Sequence, residues 1–173
     1  MRELADADRI HRLMNELGRE SGADARVYFT GGATAVLYGW RAATIDVDMK
    51  LVPELDSILR ALPRLKELLQ INVELASPGD FVPVPPGWEE RSPFIAREGK
   101  INFHHFDLYA QALAKVERGH SQDLEDVRAM ITRGLVETDR ALGYFESIES
   151  ELYRYPALDP DGFRQAVEEV FRR

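Results

Sequence analysis

Two aspartates one residue apart, Asp46 and Asp48, lie in a stretch where Ile45, Val47, Met49 and Leu51 alternate with Asp46, Asp48 and Lys50. That period of two predicts a strand over residues 45–51, aliphatic on one face, with both carboxylates on the other about 7 Å apart at their Cα atoms. Carboxylates held this way repel each other unless a cation sits between them. They suit one or two Mg²⁺ ions, which take oxygen ligands and keep several waters. Upstream, Gly31-Gly32 separates a predicted strand end from a helix start. Glycine there lets backbone N–H groups approach a phosphate, and the helix N-terminus adds a favourable field. Together these features predict a site for a nucleoside triphosphate and its metals. Glu74, on the face of a further strand opposite Ile71, Val73 and Leu75, offers the third carboxylate that two-metal phosphoryl transfer commonly uses.

Taken singly, each feature has a plainer explanation. A Gly-Gly pair is most often only a turn, an Asp-x-Asp most often a solvated strand face, and Glu74 reads equally well as an exposed strand acid. Their order on consecutive elements makes the site. Apolar residues at helical spacing predict a helix over residues 4–17 that ends near Gly18 or Gly22. Residues 26–30 read as a strand, 33–38 as a short helix closed by Gly39, and 71–75 as another strand. Residues 53–69 read as a helix that Pro63 should kink or split. A proline- and glycine-rich stretch, 77–93, reads as a long loop, either a lid or a packed connection, in which Trp88 anchors the loop or stacks on a base. Residues 94–97 and 100–106 pair as a hairpin through Glu98-Gly99. Four helices follow, over 107–118, 121–134 with Ser121 as its cap, 137–153, and from Asp159-Pro160 onward. The expected fold is α+β or α/β: a small mixed sheet with one crossover after Gly32, flanked by helices, and a helical C-terminal part. Residues 1–135 form the site-bearing domain and 136–173 an extension packed on it.

The run Thr30-Gly31-Gly32-Ala33-Thr34-Ala35-Val36-Leu37-Tyr38-Gly39, followed by Arg41 and Thr44-Ile45-Asp46-Val47-Asp48, resembles the G-G…T-x-D-x-D motif of nucleotidyltransferase-fold proteins. It is most similar to the DUF6036-type group, and to the AbiEii-like toxins of abortive-infection and toxin–antitoxin systems. The later stretch Asp107-Leu108…Lys115-Val116…Arg118…Asp123-Leu124-Glu125-Asp126-Val127 resembles the helical signature of those groups. The resemblance implies that Gly31 and Gly32 bind the triphosphate, that Asp46 and Asp48 bind metal, and that Lys115 contacts the nucleotide or active site with Asp123 nearby. Many relatives of this fold carry Gly-Ser where this chain has Gly-Gly, and the missing hydroxyl falls to Thr30 or Thr34. For the third carboxylate Glu74 is favoured over Asp107. Read from the residues alone, Lys115 is a solvent-facing helical lysine and Asp123 a first-turn acid.

Composition bounds the rest. No run of about 18 uncharged apolar residues predicts a membrane span, and no apolar leader core follows Met1. Cysteine is absent, which removes disulfides, zinc-thiolate sites and cysteine nucleophiles and fits a cytosolic protein. A net charge of −8 gives no general electrostatic grip on nucleic acid. His104 and His105 are adjacent, so on a strand they point to opposite faces and cannot jointly chelate. The expected activity is Mg²⁺-dependent transfer of a nucleoside monophosphate to an acceptor: a tRNA end, a protein hydroxyl or a small molecule. The competing class is an inactive binding module, a nucleotide sensor or the partner of a cognate toxin or antitoxin.

Overall fold

The alternation around the two aspartates is realised as a central strand, in a computed structural model that describes residues 3–172. The chain divides into two compact units. The first takes in the described residues of Met1–Ser77 together with Ser92–Phe106. Its strands are β1 (Ala5–Asp6), β2 (Ala25–Thr30), β3 (Ala43–Thr44), β4 (Asp46–Val52), β5 (Asn72–Leu75), β6 (Phe94–Glu98) and β7 (Ile101–His105). Its helices are α1 (Ala7–Glu20), α2 (Gly32–Tyr38) and α3 (Asp56–Leu69).

Five strands form one sheet in the order β5-β4-β2-β7-β6, and β1 pairs with β3 in a two-stranded ladder. β4 is parallel to β5 and antiparallel to β2, and β2 is parallel to β7. The mixed sheet flanked by helices is therefore the expected fold, with one difference in connection. The segment after Gly32 joins the antiparallel neighbours β2 and β4, and the helical crossover between consecutive parallel strands is α3, between β4 and β5. Val27, Phe29, Val47, Met49, Val73 and Phe103 are buried and share a core with Ile10, Leu13, Leu17, Val36, Ile58 and Leu65 from the three helices. Helix α3 runs unbroken through Pro63. Buried Ile58, Ala61 and Leu62 before the proline, and Leu65 and Leu69 after it, anchor both halves in one core, which offsets the lost hydrogen bond.

The second unit takes in Pro78–Arg91 and the described residues of Asp107–Arg173. It holds α4 (Trp88–Arg91), α5 (Leu108–Arg118), α6 (Ser121–Thr132), α7 (Thr138–Ile148) and α8 (Pro160–Phe171). The boundary expected at 135/136 falls inside it. The third expected helix is α7, tightening to a 3-10 segment over Glu149–Arg154. The cap of α6 is His120 rather than Ser121, with the His120 N–H donating to Asp123 Oδ2 at 3.3 Å. No helix among the described residues is long and apolar enough to cross a membrane.

Part of the long proline-rich stretch belongs to this second unit and is fastened there by one side chain. Arg91 Nη2 donates to Asp107 Oδ2 at 2.8 Å, and its Nη1 and Nη2 also donate to the carbonyls of Pro86 (2.7 Å) and Pro85 (3.2 Å). Its guanidinium also lies over the Tyr144 ring, 4.2 Å from the centroid. Asp107 is fully buried and caps α5 through the Tyr109 N–H. The segment is thus a packed connection in this structure. Trp88, half-buried, opens the one-turn α4 there.

Removing one partner of a buried ion pair leaves an uncompensated charge. Arg91→Ala is expected to lower the unfolding free energy by about 3 kcal/mol in urea titrations. The double variant with Asp107→Asn recovers part of that loss, and equal stabilities of wild type and Arg91→Ala would refute the fastening.

Candidate functional site

Strand register decides which side chains share a face. Thr30 of β2 stands opposite Asp48 of β4, and Asp48 stands beside Glu74 of β5. In the next row Asp46 stands beside Asn72. Partners in register project to the same side, so Thr30, Asp46, Asp48, Asn72 and Glu74 line one face at one end of the sheet. Helices α1, α2 and α3 pack against the opposite, aliphatic face.

Asn72 ties this face together, a role that no local sequence pattern assigns to it. Its Nδ2 donates to Asp46 Oδ1 at 2.6 Å and lies 3.4 Å from Glu74 Oε1. Asp46 and Asp48 are partly buried, and Glu74 is exposed. Oδ1 of Asp48 is buried without a hydrogen bond of its own, while the residue is engaged elsewhere. Among the described residues no group of three or more His, Cys, Asp or Glu side chains is placed to hold a metal ion. The donor chemistry of Asp46, Asp48 and Glu74, oxygen only, still fits a hard divalent cation that keeps waters.

The two glycines at the head of α2 are there for different reasons. Gly31 has φ +63°, a conformation that L side chains rarely adopt, and a Cβ built on it stands 3.4 Å from Asp48 Oδ2. Gly32 is required by crowding. A Cβ there collides with Thr44 Oγ1, lies 2.6 Å from Thr44 Cβ, and is 3.0 Å from Arg41 Nη1. Thr44 is held in turn by its hydroxyl, which donates to the Asp46 carbonyl at 3.1 Å. The turn therefore packs directly on the chain that leads into the aspartate strand.

Thr30 is on the carboxylate face, but Thr34 is not. Thr34 is fully buried, and its hydroxyl lies 3.0 Å from His105 Nδ1 and 3.4 Å from the Phe29 carbonyl. Of the two hydroxyls weighed for the missing serine, Thr34 serves the contact between α2 and the sheet. The two histidines diverge as expected. His104 stacks on Tyr28 (centroids 5.4 Å apart), and His105 stacks on Tyr38 (4.5 Å) from the other face.

Lys115, Asp123 and Asp107 belong to the second unit. Lys115 is buried rather than solvent-facing, with Nζ 2.8 Å from Asp126 Oδ2 and 3.6 Å from Asp123 Oδ1. Arg118 grips Asp123 with two hydrogen bonds, at 2.7 and 2.6 Å. Burial pushes the Asp123 carboxyl up, but the Arg118 hydrogen bonds and the Lys115 charge outweigh it and hold the group below its ordinary range. Two cations thus face two nearly inaccessible carboxylates, and the charges balance. Asp107, the alternative third carboxylate, is committed to Arg91 and the α5 cap.

His105 carries a pH signature. Burial, and secondarily the charge of His104, lowers its pKa from 6.5 to about 4. The unfolded chain takes up this proton near pH 6.5 and the folded chain only near pH 4. Stability from this group is therefore complete above pH 6.5 and is lost as pH falls toward 4, by on the order of 3 kcal/mol. His105→Asn, which keeps a hydrogen-bonding group at that position, is expected to flatten the difference in unfolding free energy between pH 6.5 and 4. Parallel curves for the two proteins would show that His105 is not the titrating group.

A family described as nucleotidyltransferase of unknown function, DUF6036, matches residues 7–151. No curated protein and no solved structure matches the chain. The family match spans β2, the glycine turn, the aspartate strand, β5 and the Lys115 helix, and the chain belongs to the DUF6036 nucleotidyltransferase family.

Proposed function

We propose that this protein transfers a nucleoside monophosphate from a nucleoside triphosphate to an acceptor, at the face formed by Asp46, Asp48, Glu74 and the Gly31-Gly32 turn. The observation that carries this reading is the row Thr30–Asp48–Glu74 across three strands, with Asp46 on the same face. It brings a third carboxylate from a separate strand to the Asp-x-Asp pair.

In the reaction an acceptor oxygen forms a bond to the α-phosphorus, and the bond from that phosphorus to the bridging oxygen breaks. Pyrophosphate leaves with the electron pair, and the acceptor's proton passes to water. Asp46 and Asp48 would hold Mg²⁺, and exposed Glu74 orients the acceptor. Bound there, Mg²⁺ would supply polarisation of the acceptor oxygen and neutralisation of charge on the leaving group. Backbone N–H groups of the glycine turn, with the Thr30 hydroxyl, hold the phosphates. Lys115 and Asp123 are left out of this core because their charges are already matched within their own cluster. Service in a toxin–antitoxin or phage-defence system, as in AbiEii-like proteins, rests on the sequence resemblance alone.

A second reading, a nucleotidyltransferase-fold binding module without turnover, is favoured by one observation: among the described residues the three carboxylates do not form a group placed to hold a metal ion. The two readings separate when the protein is incubated with Mg²⁺ and each α-labelled nucleoside triphosphate, with cell RNA, lysate protein or small molecules as acceptors. Label entering one fraction supports transfer and names the acceptor class. Mg²⁺-dependent triphosphate binding in calorimetry with no label transferred supports the binding module. For the transferase, Asp46→Ala and Asp48→Ala are expected to lower transfer by about 100-fold or more without unfolding. Glu74→Gln lowers transfer while retaining triphosphate binding. Wild-type turnover in both aspartate variants would sink this site.

A further inference from the structure

The second unit contains a cavity of about 290 Å³, and all of its lining residues belong to that unit. Three short pieces of chain build it: the 3-10 turn Pro78–Asp80 with Phe81 after it, Glu117 in the last turn of α5, and residues 154–158. The walls are fixed in the core and by hydrogen bonds. Pro78, Val82 and Leu158 are buried, and the Phe81 and Val82 N–H groups both donate to the Pro78 carbonyl at 3.0 Å. The Leu158 N–H donates to the Tyr155 carbonyl at 2.9 Å, and Tyr155 Oη donates across to the Gly79 carbonyl at 2.7 Å. Burial, reinforced by the charges of Asp80 and Glu151 against that of Arg154, raises the Tyr155 pKa above its ordinary value. The phenol therefore keeps the proton that this bond needs.

Phe81, Pro156 and Leu158 give the cavity apolar surface, while Asp80 and Glu117 give it two carboxylates. The cation among its lining residues, Arg154, is ion-paired with Glu151 at 3.4 Å. Glu117 is half-buried, and among the described residues its carboxylate has no hydrogen bond or ion pair. A lone exposed phenylalanine or a surface carboxylate is ordinary. A concavity that joins an unmatched carboxylate to an aromatic ring and aliphatic surface has the composition of a small-ligand site, and its volume suits a molecule of roughly ten heavy atoms. A neutral apolar occupant would strip water from Glu117 without replacing its hydrogen bonds. The occupant must therefore bring a donor, and a cationic donor compensates a carboxylate best.

We propose that this cavity binds a small organic cation with an aromatic or aliphatic body, its ammonium group donating to Glu117 and its body packed on Phe81 and Leu158. The site lies wholly in the second unit, so this assignment goes beyond the transferase reading and does not depend on it.

NMR titration of the full chain with phenethylammonium, methylammonium and phenylacetate tests it, at about 0.15 M salt to screen the general attraction of cations to an acidic chain. Phenethylammonium is expected to saturate at about millimolar concentration and to shift the Phe81 and Tyr155 ring resonances. Methylammonium, which lacks the body, and phenylacetate, which has the opposite charge, bind about tenfold more weakly or less. Glu117→Gln and Phe81→Ala each weaken phenethylammonium by about threefold to tenfold. Glu125→Gln, which removes an exposed acid of α6 outside the cavity, stays within about twofold of wild type. The wild-type shifts need no variant to fold. Phenylacetate binding as tightly as phenethylammonium, shifts that miss Phe81 and Tyr155 at saturation, or no saturable binding of phenethylammonium overturns the assignment. Unchanged affinity in a folded Glu117→Gln, or an equal loss in Glu125→Gln, overturns it as well.

Discussion

A strand buried on one side can hold only one register, and β4 shows what that constraint accomplishes. Val47 and Met49 are fully buried and Leu51 nearly so. Each contributes roughly 1.5–3 kcal/mol by leaving water. A one-residue slip moves all three to the opposite face and carries Asp46 and Asp48 into the core, where an unpaired carboxylate costs several kcal/mol more. The carboxylate pair is therefore fixed by the aliphatic residues between and behind it. The same register brings Thr30 and Glu74 into line with Asp48, so the core that stabilises the sheet also sets the geometry of the site.

Charges in the second unit follow another logic. Lys115 and Arg118 are one helical turn apart on α5, and Asp123 and Asp126 are one turn apart near the start of α6. Two cations and two anions with matching spacing close on each other across the short link between the helices, with bonds of 2.6 to 2.8 Å. Breaking such a set by removing one member leaves a buried charge, whereas the intact set is near neutral in energy. Its contribution is then to specify how α5 meets α6. The Arg91–Asp107 pair does the same for the proline-rich segment and the start of α5.

What could be read from the sequence follows the range of the interactions involved. The alternation of β4, the glycine turn before α2 and the helical spacing of α1 and α3 are local patterns, and each predicted its element. Strands β1 and β3 span only two residues each, too short for a period, so the crowding of Gly32 by Thr44 was invisible. Pro63 reads as a break because its cost is local, while the buried faces on both sides that hold the helix together are tertiary. Lys115 reads as solvent-exposed because its partners lie eight and eleven residues away on another helix. The matched spacing of Lys115-x-x-Arg118 and Asp123-x-x-Asp126 was the signal for that cluster. At the candidate site, the face and order of Asp46, Asp48 and Glu74 were legible from alternation. Asn72 was not, because which strand neighbours β4, and in what register, is not written in any local period.

Asn72 also bears on how three acids can share a face. Like charges in adjacent rows raise each other's energy, and an amide N–H between them is a weak substitute for a cation. Its hydrogen bond to Asp46 Oδ1 uses one of about two acceptor positions on that oxygen and none on Oδ2. The carboxylate therefore keeps room to ligate a cation while the bond restricts its rotation, the way hydrogen bonds to metal-ligating carboxylates commonly orient them. Glu74, exposed and only 3.4 Å from the same amide, is held much less firmly. The face thus pairs a firmly held Asp46 with a looser Glu74, a difference that suits the division of roles proposed for them.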